Sequence, residues 1–414
     1  MQINRFFSIG IILITFMACN SNHGSDNSSS GTAEMVKDEH WRAVFQLNDS
    51  TELPFILDWI PNDTNPQLVV YNAEEKLIAN SFVKKGDSML IGFPVFANFL
   101  IFKSFGNRLS GYFINPDKRN YRIPFRADKS SAERFPSKED ACCKINGKWA
   151  VKFSPNSEDE YPAIAHFIQE GNKLSGTFLT ETGDYRYLEG NISGENLNLS
   201  TFDGAHLFLF AGKIVDEKIQ GAFYSGLSWY EPWEAKRDDN FELRNSDSLT
   251  FLKPAYDSLY FSFPNSDGMM ISLGDSLYKN KALIVQLMGT WCPNCLDESR
   301  YLKSVYEEYH SQGLEIISLA FERMKNEKTA FNRIEKLKRD LELPYQILLA
   351  GSSNKAEAVK SLPMLNHIMS YPTAIYLNKE HEIVKIHTGF AGPGTPVYDK
   401  YVEENKILLE QILK

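Results

Sequence analysis

The stretch Lys281-Ala282-Leu283-Ile284-Val285-Gln286-Leu287-Met288-Gly289-Thr290-Trp291-Cys292-Pro293-Asn294-Cys295 decides the fold of the C-terminal part of the chain. Ala282 to Met288 is an apolar run of strand length, and Leu296 to His310 has the spacing of an amphipathic helix. The thiols of Cys292 and Cys295 therefore sit where a buried strand hands over to a helix N-terminus. Unpaired N–H groups and about half a positive charge gather at such an end, which favours a thiolate at the first Cys. The spacing of three puts Cys295 about one turn further on, near enough to close a disulfide with Cys292.

Around this junction, strand and helix patterns alternate. Met269 to Leu273, Leu314 to Phe321, Tyr345 to Leu349, Thr373 to Leu377 and Ile383 to His387 read as strands. Glu327 to Leu341, Ala356 to Leu362 and Val397 to Leu413 read as helices. Such alternation implies right-handed βαβ units and a central sheet covered by helices, over residues 255–414. A polar connection, 239–254, precedes it.

From Trp41 to Arg237 the pattern is different: short, alternating, aromatic segments separated by turn residues, with no long amphipathic helix. The region repeats itself at an offset of about 110 residues. Leu109-Ser110-Gly111-Tyr112-Phe113 parallels Ile219-Gln220-Gly221-Ala222-Phe223, and Trp41 and Trp149 each open a half. We expect two tandem antiparallel β modules, 38–126 and 147–238, joined by a linker at 127–146. Closing such meanders into barrels removes exposed edges. Gly147-Lys148-Trp149 and the hairpin Gly171 to Phe178 resemble small lipocalin- or avidin-type barrels. Tyr185-Arg186-Tyr187 and Trp229 to Trp233 are candidates for ligand or partner contact.

The N-terminus reads as a targeting segment, with Arg5 as positive flank, Phe6 to Ala18 as apolar stretch, and Cys19 after a small residue. The apolar stretch is short of the roughly 20 residues that span a bilayer. It resembles a bacterial lipoprotein signal over 1–19, which would make Cys19 the lipidated residue. The segment 20–37, which opens rich in Ser, Asn and Gly, would be a flexible tether. Hydrophobic content of 43% and charged content of 23% are those of a globular protein. A net charge of −9 without a basic stretch argues against nucleic-acid binding.

A Cys-x-x-Cys at a strand-to-helix junction inside a βαβ pattern reads as a thioredoxin-like redox motif. Residues 255–414 are similar to the TlpA/ResA-like thiol-disulfide reductases, extracytoplasmic members of the thioredoxin superfamily. Phe263 to Leu273 resembles that family's N-terminal hairpin, and Lys281 to Cys292 its strand into the active site. Tyr371-Pro372-Thr373 lies where the superfamily places its cis-proline loop, which makes Pro372 a candidate cis peptide. Glu322, just past the strand Leu314 to Ala320, fits the acid that related reductases place there. Thioredoxins proper have an acid where this chain has Gln286.

The resemblance implies that Cys292 is the nucleophile and Cys295 the resolving thiol, with Cys292–Cys295 as the redox disulfide. Glu322 would serve as proton acceptor, and Trp291, Pro293, Tyr371 and Pro372 as a docking face for a protein thiol or disulfide substrate. It implies no cofactor and no metal, and a membrane electron donor for re-reduction. Cys142 and Cys143 are adjacent and unsuited to a Cys₄ zinc site with the motif. A peroxide-reducing motif fails because Val285 and Gly289 stand where Pro and Thr are needed. The expected architecture is multidomain, tandem barrel-like β modules followed by an α/β thioredoxin-like domain. The expected location is the cell envelope, lipid-anchored. A second reading is a binding or redox-sensing lipoprotein whose β modules hold a partner or ligand.

Overall fold

A computed structural model describes residues 40–414 apart from 63, 131–132 and 324–325. The expected signal, the lipidated Cys19 and the tether lie outside the described residues. Among those described, no helix is long and apolar enough to cross a membrane.

The first module contains β1 (Trp41–Gln46), β2 (Glu52–Ile60), β3 (Gln67–Asn72), β4 (Glu75–Ile78), β5 (Ser81–Lys85), β6 (Ser88–Gly92), β7 (Phe99–Phe105), β8 (Arg108–Ile114) and β9 (Arg122–Lys129). All are antiparallel, in the order β4-β3-β2-β1-β9-β8-β7-β6-β5. Period-two alternation sends Leu53, Phe55, Leu57 and Trp59 of β2 inward.

The second module contains β10 (Gly147–Phe153), β11 (Tyr161–Glu170), β12 (Lys173–Thr180), β13 (Gly183–Asp184), β14 (Leu188–Ser193), β15 (Asn196–Phe202), β16 (Leu207–Val215), β17 (Lys218–Ser225) and β18 (Trp229–Arg237). Here β11 pairs with β12 as well as β10, so eight strands close into a barrel with β13 appended to β12. The sequence repeat is a structural one. Gly111 and Gly221 occupy equivalent places on β8 and β17, and a Cβ on either would lie 1.9 Å from Ile101 O or 2.3 Å from Ala211 O. Only glycine permits that approach of neighbouring strands.

Two expectations need qualification. The barrel-like first module has no β4–β5 ladder; β4 and β5 are successive halves of one bent segment, with Ala79 N donating to Leu68 O (3.0 Å) and Asn80 N to Gly92 O (3.2 Å), so the segment pairs with β3 at one end and β6 at the other. Its core is completed by the second module: Phe202, Leu207 and Leu209 belong to the first module's core cluster. The Phe202 ring meets Phe45, Phe55, Phe93 and Phe113 at centroid distances of 4.9, 5.2, 5.2 and 5.3 Å. Asn72 secures it, donating from Nδ2 to Phe202 O (3.0 Å) and accepting from Phe202 N (3.2 Å). Second, the linker expected from residue 127 starts later, since β9 runs to Lys129 to match β1. Beyond it, Arg134 is buried and donates to Ser200 O and to Glu189, so this segment is packed rather than free. Arg186 adopts φ 58, which separates β13, ending at Asp184, from β14, beginning at Leu188.

The C-terminal domain opens with a hairpin, β19 (Ser262–Pro264) and β20 (Met270–Ser272). Then follow β21 (Ala282–Met288), α1 (Pro293–Tyr309), β22 (Leu314–Glu322), α2 (Glu327–Leu341), β23 (Gln346–Ser352), α3 (Lys355–Ser361), β24 (Thr373–Leu377), β25 (Ile383–Thr388) and α4 (Tyr398–Ile412). The sheet order is β23-β22-β21-β24-β25, with β21, β22 and β23 parallel and β24 and β25 antiparallel. Every residue of β21, β22 and β24 is buried, as a sheet covered on both faces requires. The turn after β6 docks on α2: Asp340 accepts from Val95 N (2.9 Å), and Lys336 donates to Phe93 O (3.3 Å).

Candidate active site

The central strand β21 ends at Met288 and releases Gly289, Thr290 and Trp291 into a tight turn. Trp291 folds back so that its Nε1 donates to Phe321 O (3.0 Å), and a Cβ at Gly289 would lie 2.3 Å from that nitrogen. Cys292 then caps α1, its Sγ accepting from Cys295 N (3.2 Å). Pro293 is the first helical residue, where a missing N–H costs nothing. Cys292 and Cys295 are disulfide-bonded, with Cα atoms 5.2 Å apart. Cys292 is 7% exposed and Cys295 is fully buried, so the first sulfur is the one a partner can reach. The first turn of α1 carries no acid, which leaves the helix dipole free to stabilise a Cys292 thiolate.

Opposite the disulfide, the Tyr371–Pro372 bond is cis. The carbonyl oxygen of Tyr371 lies 3.4 Å from Cys292 Sγ. The Tyr371 ring stands edge-on to Trp291 (5.8 Å) and against Phe321 (5.5 Å), which fixes the wall around the sulfur. Burial raises the Tyr371 hydroxyl well above the usual phenol range. Trp291, Pro293, Tyr371 and Pro372 are thus gathered around Cys292.

Two buried acids attend the motif. Glu322 ends β22 and accepts from both Thr290 N and Thr290 Oγ1 at 2.8 Å. Burial pushes its carboxyl up to about 7 in spite of those two bonds. The other, Glu298, was missed from the sequence. It lies one turn beyond Cys295, is fully buried, and accepts from Gln286 Nε2 at 2.8 Å. Its Oε1 has no hydrogen-bond partner among the described residues, and burial pushes its carboxyl up to about 8. Gln286 is held in turn by Ser318 Oγ (2.7 Å), so a neutral amide and a protonatable acid share the space beneath the helix. A signal was present: Cys295, Glu298, Leu302, Val305 and Tyr309 form one inward stripe of α1, and an acid on such a stripe is out of place.

The second module roofs the motif. Asn294 Nδ2 donates to Asp184 O (3.2 Å), and Ser370 Oγ to Thr182 O (2.6 Å). Arg186 is 4% exposed; it donates to Pro293 O (3.3 Å) and pairs with Asp297, Glu75 and Asp203. One guanidinium thus joins both β modules to the active-site helix. Burial pushes Asp297 up to about 6, against the pull of Arg186 and Arg300. Arg186, expected as a ligand or partner contact, is an internal tie. Cys142 and Cys143 are free, exposed and 3.0 Å apart at sulfur, and burial pushes the Cys143 thiol up to about 11.

A sheet of this order, with a Cys-x-x-Cys at the start of its first long helix and a cis-proline against it, is a thioredoxin fold. Residues 257–402 match the Redoxin family. Over 129 residues the chain is 28% identical to thiol-disulfide oxidoreductase ResA of Halalkalibacterium halodurans, covering 31% of this chain and 65% of that protein. Over 133 residues it is 26% identical to the ResA of Bacillus subtilis, covering 32% of this chain and 66% of that protein. The match therefore spans slightly under two thirds of these relatives. Among solved structures, a thioredoxin-family thiol:disulfide interchange protein from Chlorobium tepidum TLS aligns with a TM-score of 0.30 and 18% identity, over 38% of this chain and 96% of that one. The C-terminal domain thus has a thioredoxin fold, matches the Redoxin family over residues 257–402, and is similar in sequence to the ResA thiol-disulfide oxidoreductases.

Proposed function

We propose that this protein is an extracytoplasmic thiol-disulfide oxidoreductase that reduces protein disulfides through Cys292 and Cys295. The observation that carries the reading is the asymmetry of the pair: a reachable Cys292 at a helix N-terminus and a sealed Cys295 behind it. In the reduced protein the Cys292 thiolate attacks one sulfur of a partner disulfide. A mixed disulfide forms and the partner's other sulfur leaves as a thiolate. Cys295 then gives up its proton and attacks Cys292 Sγ, closing the internal disulfide and releasing the second partner thiol. Two electrons pass to the partner.

Glu298, with one free carboxylate oxygen under α1, is the acid we assign to the Cys295 proton. Glu322 is the second acid, acting through Thr290 on the turn that carries Trp291 and Cys292. Trp291, Pro293, Tyr371 and Pro372 form the docking face. Recharging the pair takes two electrons and two protons from a membrane donor, to which lipid on Cys19 would keep the enzyme close.

A Cys295→Ser variant is expected to accumulate mixed disulfides through Cys292, identified by mass spectrometry of the trapped partner. No adduct, together with no disulfide reduction by the unaltered protein, would overturn the reading. It would leave a binding or redox-sensing role for the β modules.

A further inference from the structure

Beside Trp291 lies a cleft of about 480 Å³ walled by all three parts of the molecule. The C-terminal domain contributes Thr290, Trp291, Glu322, Arg323 and Arg333, and the first module contributes the loop of Asp117, Lys118 and Tyr121. The open end of the closed barrel supplies aromatic side chains, among them Tyr161, Tyr185, Phe208 and Trp229.

The charges in this cleft do not balance. Three cations, Lys118, Arg323 and Arg333, face two carboxylates, Asp117 and Glu322. Asp117 is taken by Arg333 at 2.9 Å, and Glu322 is engaged by Thr290. That leaves Lys118 and Arg323, which stack on rings instead: Lys118 Nζ is 4.6 Å from the Tyr121 centroid and the Arg323 guanidinium 3.8 Å from that of Trp291. Neither has a carboxylate within ion-pair distance among the described residues. Burial lowers both groups; Arg323 further lowers Lys118, while Glu322 and Asp117 pull Arg323 the other way without forming an ion pair with it. In a chain of net charge −9, a cationic cleft against the active-site tryptophan is a local reversal of sign.

We propose that this cleft is the substrate subsite, and that it takes a protein segment bearing an acidic residue with an apolar neighbour a few residues from its disulfide. The acid sits between Lys118 and Arg323, and the apolar side chain lies against Trp229 at the barrel end. This rests on disulfide exchange at Cys292 and adds to it a preference for acidic partners.

The test uses the reduced full chain and synthetic peptides closed by one disulfide, identical except for Asp, Asn or Lys near one cysteine. Second-order rates of oxidation of the Cys292–Cys295 pair are measured. The Asp peptide is expected to react about tenfold faster than the Asn peptide at low salt, and the difference should shrink at high salt. Lys118→Glu, a change at an exposed position, should invert the order so that the Lys peptide leads; a purely structural effect would slow all three alike. Equal rates for all peptides with the unaltered protein overturn the subsite while leaving disulfide exchange in place. No reaction with any peptide overturns both.

Discussion

Replacing Glu298 by Gln should make the protein more stable and a poorer catalyst, with a pH signature that separates the two effects. The carboxyl is fully buried and is held up to about 8 from an ordinary 4.5, by burial first and against the hydrogen bond from Gln286. A raised carboxyl binds its proton more tightly in the folded state. Its contribution is therefore complete below about pH 4.5 and is lost as pH rises through about 8. At about 1.36 kcal/mol per unit, the span from 4.5 to pH 7 amounts to roughly 3 kcal/mol withdrawn from stability at neutral pH. The amide that Glu298→Gln introduces cannot ionise, and its carbonyl can still accept from Gln286. Urea unfolding of the oxidised proteins, in which neither active-site thiol titrates, is the assay. The two proteins should match near about pH 5, and the variant should lead by roughly 3 kcal/mol near pH 7. The same variant, lacking the acid assigned to Cys295, should resolve mixed disulfides about a hundredfold more slowly. A stability difference independent of pH would refute the reasoning, because it would mean that Glu298 stays ionised in the fold.

Three other substitutions probe how the site is held. Arg186→Met leaves Asp297, Glu75 and Asp203 without their shared cation and should cost about 3–5 kcal/mol in denaturant unfolding, with hydrogen exchange rising at the start of α1. Phe202→Ala should cost about 3–5 kcal/mol, and the loss of exchange protection should fall on β1 to β3 of the first module more than on the barrel that contains the residue. Gly289→Ala forces a Cβ to within 2.3 Å of Trp291 Nε1, so the indole must leave Phe321 O. A red-shifted tryptophan emission and a cost of about 1–3 kcal/mol are expected.

Much of the C-terminal domain was legible because its signals are local. Ala282 to Met288, Glu327 to Leu341 and Thr373 to Leu377 have in the structure the ends read from the sequence, since polar or turn residues bound each run. Cys292 and Cys295 carry their own chemistry in their spacing. What escaped depends on distant residues. Whether β11 finds β12, and how the β4–β5 segment divides between β3 and β6, is decided by pairing across the sheet and not by the composition of any strand. Arg186 was conspicuous among aromatics, but its carboxylate partners lie on three separate segments, at Glu75, Asp203 and Asp297. Glu298 stands out only as an acid on an apolar stripe, whereas Glu322 is marked by family likeness at its strand end.

The aromatic insertion of Phe202 has a consequence for how the molecule is made. A chain emerging N-terminus first exposes all nine strands of the first module, through Lys129, well before residues 202–209 arrive. Until then Phe45, Phe55, Phe93 and Phe113 surround an unfilled centre, and that apolar surface is open to other chains. The first half of this protein cannot mature on its own schedule. It must wait, guarded or at risk, for its sequence relative to be delivered.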